Sequence, residues 1–407
     1  MDRANSTKLA FLWIDDPKNN HVANYGYVCT EDNPKQVDKV RLENLPFDYT
    51  YVTNLKSHRF KPLGIKTFYG IKHASYFGVA AGQIAIELGV SDNLNEKLPI
   101  FTIVLSKIAQ RIFQMYKVSV ESDSWTILEG LRDTIYPSLI HQTLRLDGSE
   151  SIDLNFAVEN SLQKLQANNI SKRGIGNGEV ISAKYPKTPY FLHLINQKYP
   201  VSEHYHEENR FAGKLVGRNG TKIQGETDIE ELIEYSKHNA GFLKFTLVNI
   251  DTKHSRYVPL GQEIKSVSNR QWASLPEIID LCNYATLELG IAYITKAEKL
   301  PFAPPLPSER TKFLSYINGT VNEALLWSLS YKKEQERFTS PIAAYIRAYD
   351  RVLMRQVAMK LVDQGFDTLG FSNGTVRFLT RSTTQRAQLR SELSKKGLIP
   401  QIKYHQQ

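Results

Sequence analysis

The chain has 407 residues, a formal net charge of +9, 41% hydrophobic residues and 11% aromatic residues. This composition excludes an intrinsically disordered protein and is sufficient for two or three domains, each with its own core. No apolar run approaches the roughly 18 residues of a membrane helix, so the sequence predicts no membrane association. The first five residues lack an apolar signal core and the two cysteines have no metal-ligand spacing, so we expect a cytoplasmic protein.

The N-terminal part predicts a mixed α/β domain over residues 1–150. Residues 8–14 read as a buried strand, and residues 25–29 read as its partner across a polar turn. Between about 96 and 144 the apolar residues recur at helical spacing. The polar, glycine-containing stretch 145–178 then predicts a linker and a domain boundary near 150–175.

The middle of the chain predicts a strand, a helix and a second strand. Residues 240–252 alternate in the manner of a half-buried strand. Ser274, Pro276 and Gly290 have the positions of a helix N-cap, a first-turn proline and a terminating glycine, which predicts a helix over 274–290. A strand over 291–295 is expected to follow.

The C-terminal part predicts a long helix and a hairpin. Ser340 and Pro341 start the helix and Gly365 ends it. The strands of the hairpin are expected over 368–371 and 375–379, with Asn373-Gly374 at the turn.

Positive charge is concentrated at the C-terminal end. Residues 331–407 hold 14 Lys and Arg against 6 Asp and Glu, whereas residues 1–330 hold 37 against 36. A basic region on a nearly neutral body is typical of a surface that contacts nucleic-acid phosphates. A solvated charged face is the alternative.

Four segments resemble parts of family B DNA polymerases. Residues 366–378 are similar to the metal-binding hairpin of the polymerase palm, and the helix before them is similar to the helix that precedes that hairpin. Residues 180–186, Val-Ile-Ser-Ala-Lys-Tyr-Pro, are similar to the first polymerase motif, Asp-x-x-Ser-Leu-Tyr-Pro. The order of elements between 242 and 295 also resembles that of protein-primed phage and plasmid polymerases. The resemblance covers about 175–380 and implies an α+β fold, with an antiparallel palm sheet and flanking helices in a domain over 175–407.

The catalytic aspartates that this family uses are replaced. Two-metal nucleotidyl transfer needs paired carboxylates, but Val180 stands at the first motif and Ser372 and Gly374 stand where the hairpin aspartates belong. The resemblance therefore implies a palm with no metal site and no cofactor. Asp251 and Asp367, near predicted strand ends, are the fallback metal ligands if the chain is active after all.

Two further segments resemble polymerase motifs less completely. Lys312 and Asn318 correspond to the residues that the second motif places at the triphosphate and the nascent base pair, although their spacing departs by two residues. Residues 13–16 and 51–56 resemble the two strand motifs of the proofreading exonuclease. The N-terminal domain is thus interpreted as an exonuclease-like remnant.

The leading hypothesis is a catalytically inactive, polymerase-like protein that binds DNA or another nucleic acid. As the resemblance implies, it would belong to a replication, transposition or defence assembly of a mobile element and have protein partners there. The predicted binding residues are those of the second motif and the basic side chains of the C-terminal region: Lys312, Asn318, Arg347, Arg351, Arg355, Arg377 and Arg381. Tyr345 and Tyr349, on the same helix face, are expected in the core. The alternatives are an active or split-subunit DNA polymerase and a protein-interaction scaffold that binds no nucleic acid.

Overall fold

The structure is a computed structural model. It describes residues 8–14, 24–33, 35–46, 48–53, 68–70, 102–104, 106–108, 110–111, 125–126, 143–162, 178–250, 271–301, 311–330 and 337–401. The chain divides into two compact units. The first consists of Met1–Pro137 and Pro304–Tyr331, and the second of Ser138–Ala303 and Lys332–Gln407. Both contain strands and helices in mixed proportion, in agreement with the predicted α+β class. No helix among the described residues is both long enough and apolar enough to span a membrane.

The first unit contains a six-stranded mixed sheet. Its strands are β1 (Lys8–Trp13), β2 (Tyr25–Thr30), β3 (Asp38–Arg41), β4 (Tyr49–Thr53), β5 (Phe68–Gly70) and β6 (Trp125–Thr126). The spatial order is β3-β2-β1-β4-β5-β6. The predicted pairing of residues 8–14 with 25–29 is confirmed as an antiparallel pair, and β1 pairs with β4 in parallel. The helix Lys312–Ser328 also belongs to this unit.

Residues 13–14 and 51–53 are the described parts of the two segments that the sequence compares with exonuclease motifs, and they lie in or directly after β1 and β4, which are adjacent in this sheet. Leu12 of β1 lies directly opposite Thr53 of β4, so the two strands end side by side. The polar residues that follow, Asp15 and Asn54, lie outside the described residues. Most of the predicted helical region 96–144 lies outside them as well. Its described positions between 102 and 111 are helical, with Val104 and Ile108 fully buried.

The second unit contains a nine-stranded sheet and a four-stranded sheet. The strands of the larger sheet are β7 (Arg145–Leu146), β8 (Ser149–Glu150), β10 (Lys198–Pro200), β11 (His204–Glu208), β12 (Leu215–Asn219), β13 (Lys222–Gln224), β14 (Asn239–Ile250), β15 (Trp272–Ser274) and β16 (Ala285–Lys299). The smaller sheet has the order β17 (Asp367–Ser372), β18 (Thr375–Thr380), β9 (Glu179–Lys184) and β19 (Ile399–Gln401), with every neighbouring pair antiparallel.

Six helices accompany these sheets among the residues that the structure describes. They are α1 (Ile152–Leu162), α2 (Lys187–Ile195), α3 (Glu226–Ser236), α4 (Leu275–Leu281), α5 (Pro341–Val362) and α6 (Thr383–Lys395). α5 packs on β17 and β18, and α6 packs on β18 and β19. α5 begins as predicted, because the Ser340 side chain accepts a hydrogen bond from the Ala343 N–H at 3.2 Å. Gly365 follows it with φ +89°, a conformation that glycine accepts without strain.

Two predicted segments differ from the structure. The helix predicted over 274–290 ends at Leu281, and residues 285–290 belong to β16. β16 is paired on both sides, with β12 and β14, so its backbone hydrogen bonds outweigh the helix propensity of the local sequence. The linker predicted from residue 145 onward is also wrong for residues 152–162. These residues form α1, whose Leu154, Ala157 and Val158 make a buried ridge at helical spacing.

Candidate nucleic-acid interface at the β17–β18 hairpin

The turn of the β17–β18 hairpin is held by hydrogen bonds to α5 and to the segment between β9 and α2. Asn373 and Gly374 have φ of +51° and +68°, which makes the two-residue turn that their sequence predicts. Asp350 of α5 lies beneath it. One carboxylate oxygen accepts from the Asn373 N–H at 2.6 Å, and the other accepts from the Gly374 N–H and the Tyr190 hydroxyl, both at 2.7 Å. The carboxylate is 2% exposed.

Both oxygens of Asp350 are therefore engaged by donors of the protein itself. Hydrogen bonds to a buried carboxylate are short and about twice as strong as bonds between neutral groups. Here they satisfy two turn amides that would otherwise lack a partner inside the fold. Three of the roughly four acceptor sites of the carboxylate are taken by donors of the protein. Asp350 is thus a structural anchor of the turn.

Two further hydrogen bonds hold the turn from its sides, and the Tyr190 ring limits the space beside it. The Gly374 carbonyl accepts from the Tyr185 N–H at 2.7 Å, and the Arg347 guanidinium donates to the Asn373 side-chain oxygen. A Cβ on Gly374 would lie 3.2 Å from the Tyr190 ring. Because φ is also positive at this position, only glycine fits without displacing its neighbours.

The register of the sheet corrects the predicted convergence of the first and third motifs. Ser372 pairs with Thr375, and Thr375 pairs with Lys184, so Lys184 is the β9 residue level with the turn. Val180 pairs with Leu379, whose other partner is Asp367. Val180 is therefore four residues, or about 13 Å, from the turn along the strand. The pairing of Val180 with Ser372 and Gly374 as one former metal site is wrong.

The β9 residue at the level of the turn is a buried lysine. Lys184 and Lys187, at the start of α2, are 6% and 7% exposed. Both make interactions inside the protein. Their ammonium groups carry the charge sign of a metal ion rather than that of the carboxylate ligands that two-metal chemistry requires.

The fallback carboxylates are placed as follows. Asp251 lies outside the described residues. Asp367 begins β17 and is level with Val180, at the end of the hairpin remote from the turn. Within the described part of the chain, no three His, Cys, Asp or Glu side chains gather in a group that could hold a metal ion.

Three of the predicted arginines lie at or near the surface of the smaller sheet. Arg377 is an exposed residue of β18, directly opposite the half-buried Ser182 of β9. Arg381 is exposed immediately after β18. Arg347 is half-buried, and its guanidinium donates a hydrogen bond to the side chain of Asn373. These residues carry positive charge along the hairpin and beside its turn.

Arg351 and Arg355 lie inside the fold instead. The Arg351 guanidinium donates in a fork to both Glu277 oxygens, at 2.8 and 2.7 Å, and to the Ser161 carbonyl at 3.1 Å. Arg355 is 0% exposed and forms an ion pair with Asp280. Both arginines tie α5 to α4. We therefore assign them a structural role and remove them from the interface, because their guanidinium groups already hold carboxylates of the protein.

The second-motif residues belong to the other compact unit. Lys312 is the exposed first residue of the helix Lys312–Ser328, and Asn318 is buried in the same helix. Asn318 makes interactions inside the protein. Neither residue belongs to the unit that contains the hairpin.

Tyr345 is a fully buried core residue, as expected from its helix face, and Tyr349 beside it is half-buried. The Tyr345 hydroxyl donates to the Gly241 carbonyl at 2.9 Å, and the Tyr349 hydroxyl donates to the Lys198 carbonyl at 2.7 Å. Burial raises the pKa of both phenols. Their rings pack against each other edge-on and are not offered to a nucleic-acid base.

Sequence reasoning missed Asp350, Tyr190 and Lys184. Asp350 did leave a signal, because it falls four residues after Ile346 and three before Leu353, on the apolar face of α5. A carboxylate on such a face is costly to bury unless donors surround it. No comparable signal marks Tyr190 or Lys184, whose positions depend on the pairing of distant strands.

The chain was compared with known proteins. No family model matches it, and no curated protein matches its sequence. Two solved structures are similar, both of Phi29 DNA polymerase. One is complexed with primer-template DNA and incoming nucleotide substrates, with a TM-score of 0.40, and the other is the post-translocation binary complex with primer-template DNA, with a TM-score of 0.41. In each case the identity is 10% over 92% of this chain, and the match covers 81% and 80% of the polymerase chains.

Proposed function

We propose that this protein is a catalytically inactive, polymerase-like protein that binds nucleic acid through phosphate contacts at the β17–β18 hairpin. The observation that carries the proposal is the set of side chains that surround the hairpin turn. The amides of the turn are held by Asp350, and the exposed Arg377 and Arg381 and the half-buried Arg347 lie along the hairpin. The residues present at this place are suited to hold an anionic backbone and are unsuited to hold two metal ions.

The mode of binding follows from the side chains. Arginine guanidinium groups bind phosphate oxygens in a fixed geometry, but phosphates are the same in every sequence. The tyrosines next to the hairpin have their hydroxyl groups bound to carbonyls inside the fold. We therefore propose that the hairpin surface grips the backbone of a duplex with little base readout. We also propose, from the sequence resemblance, that the protein acts in a replication, transposition or defence assembly. The exonuclease-like origin of the first unit is proposed on the same basis, and the adjacent, parallel placement of β1 and β4 is compatible with it.

The test measures duplex affinity as a function of salt. The parent is compared with a triple variant, Arg347→Gln, Arg377→Gln and Arg381→Gln. Each phosphate contact contributes about 0.9 to the slope of log affinity against log salt, so the triple variant is expected to lose up to about 2.7 of that slope.

The matched control replaces three exposed cations elsewhere in the same unit, Arg218, Lys222 and Lys244, by glutamine. It lowers the net charge equally, and we expect it to bind within about threefold of the parent. Equal slopes for the two triple variants, both with intact folds, would remove the hairpin from the proposal. Undetectable binding by the parent would favour the protein-interaction scaffold.

A further inference from the structure

A second surface, in the first unit, combines an exposed aromatic ring with two cations. It is formed by β2 and β3, where Tyr25 pairs with Arg41 and Tyr27 pairs with Lys39. Residues directly opposite each other in an antiparallel pair project from the same face of the sheet. Residues 25, 27, 39 and 41 therefore form one surface, which we term the Tyr25 strip.

The Tyr25 strip is open to solvent at its outer end. Further along the same face, Phe11 and Cys29 pair with each other and are fully buried. Tyr27 is half-buried and Tyr25 is 45% exposed, so the face passes from covered to open along β2. Tyr25 is thus a large aromatic side chain that the protein leaves partly in water.

Two cations flank the Tyr25 ring. The Lys39 ammonium and the Arg41 guanidinium each lie 5.5 Å from the ring centroid, within the range of cation–π attraction. Arg41 also donates from Nε to the Tyr25 hydroxyl at 3.0 Å and from Nη1 to the Glu43 carboxylate at 3.3 Å. The Arg41–Glu43 pair is exposed on both sides, so it is weak and a phosphate can displace it, unlike the buried pairs of Arg351 and Arg355. Both cations are exposed, and because they are two positions apart on β3 they lie on the same face, about 7 Å from each other along the strand. The ring is held in place by the charges beside it.

This combination has a specific chemistry. A nucleotide with an unpaired base offers a flat π surface and a phosphate together, and proteins bind single strands by stacking bases on aromatic rings beside cations. β3 is the terminal strand of its sheet, and lysine on a terminal strand also hinders pairing with other chains. Hindering the pairing of other chains with β3 requires charged side chains but no exposed aromatic ring beside them. This role therefore does not account for the exposure of Tyr25.

We propose that the Tyr25 strip is a binding site for single-stranded nucleic acid, with a base stacked on Tyr25 and phosphates contacted by Lys39 and Arg41. The site goes beyond the hairpin surface, because it lies in the other compact unit and selects a different form of nucleic acid. Its residues do not overlap with those of the hairpin proposal.

The test uses a labelled oligothymidylate of about 12 nucleotides, within the size range of single-strand sites. Tyr25→Ala removes the ring and is expected to weaken binding about 5- to 150-fold, because one stacked base is worth about 1–3 kcal/mol. Tyr25→Phe keeps the ring and is expected to bind within about threefold of the parent. Lys35→Gln, an exposed cation of the same unit outside the strip, is the control and should change little.

Two further measurements make the outcome decisive. Lys39→Gln with Arg41→Gln should lower the salt slope by about 1.4, since each single-strand phosphate contributes about 0.7. Tyr25→Ala is also introduced into the hairpin triple variant, where it should weaken oligothymidylate binding by the same factor as in the parent. This result would separate the Tyr25 strip from the hairpin even if the duplex proposal fails. Unchanged binding by a folded Tyr25→Ala variant overturns the proposal. Polyglutamate is tested as a competitor. If it displaces the labelled oligonucleotide as effectively as unlabelled oligothymidylate does, the single-strand proposal is overturned in favour of an acidic protein partner.

Discussion

Replacement of Asp350 by asparagine tests the anchoring of the hairpin turn. The amide has nearly the shape of the carboxylate, but it keeps only one acceptor oxygen and presents an NH₂ group at the other position. If the amide oxygen faces Gly374 and Tyr190, the NH₂ group faces the Asn373 N–H, and two buried donors meet without an acceptor. Each unsatisfied buried group costs about 1–3 kcal/mol. We expect the turn to be destabilised by about 2–4 kcal/mol.

Hydrogen exchange of the Asn373 and Gly374 amides measures this cost locally, which suits a chain with two compact units better than a single global transition. A destabilisation of 2–4 kcal/mol corresponds to exchange that is about 30- to 900-fold faster. Tyr190→Phe removes one of the three hydrogen bonds and keeps the ring beside Gly374. We expect about a 5- to 30-fold acceleration for that variant, from a loss of about 1–2 kcal/mol.

Lys360→Gln is the matched control, since Lys360 is an exposed residue of the same helix. Its effect on the two amides should stay within about twofold. Equal exchange in Asp350→Asn and Lys360→Gln would show that the carboxylate does not hold the turn. The assignment of Asp350 as an anchor would then be refuted.

Two more substitutions test the same architecture. Gly374→Ala places a Cβ 3.2 Å from the Tyr190 ring in a backbone with φ +68°, so we expect a loss of about 1–3 kcal/mol in chemical denaturation, and an unchanged midpoint would contradict the turn geometry. Arg351→Met leaves Glu277 buried without its partner, at an expected cost of about 3–5 kcal/mol, whereas Arg351→Met with Glu277→Met should recover most of the lost stability. Equal stability of the single and double variants would contradict the buried ion pair.

Local rules predicted several elements well. The start and end of α5 depend on Ser340, Pro341 and Gly365, and the hairpin depends on Asn373-Gly374; both signals lie within a few neighbouring residues. The burial of Tyr345 and Tyr349 followed from the helical period. These features need no knowledge of distant strands.

Features that depend on distant pairing were missed. Residues 285–290 look helical by themselves but form the start of β16, because partners on both sides supply backbone hydrogen bonds. The level of Val180 on β9 is fixed by its register with β18, and a motif match in the sequence carries no information about register. The roles of Arg351 and Arg355 likewise depend on Glu277 and Asp280, which are more than seventy positions away.

The β17–β18 hairpin is proposed to be a nucleic-acid binding surface without catalytic carboxylates. Primer extension on a primed template, with Mg²⁺ or Mn²⁺ and all four nucleotides, tests this proposal most directly. We expect no template-dependent incorporation by the parent protein, while the same preparation binds duplex DNA with a steep salt dependence. Template-dependent extension by the parent that disappears in an Asp367→Ala or Asp251→Ala variant would contradict the account and identify a working metal site.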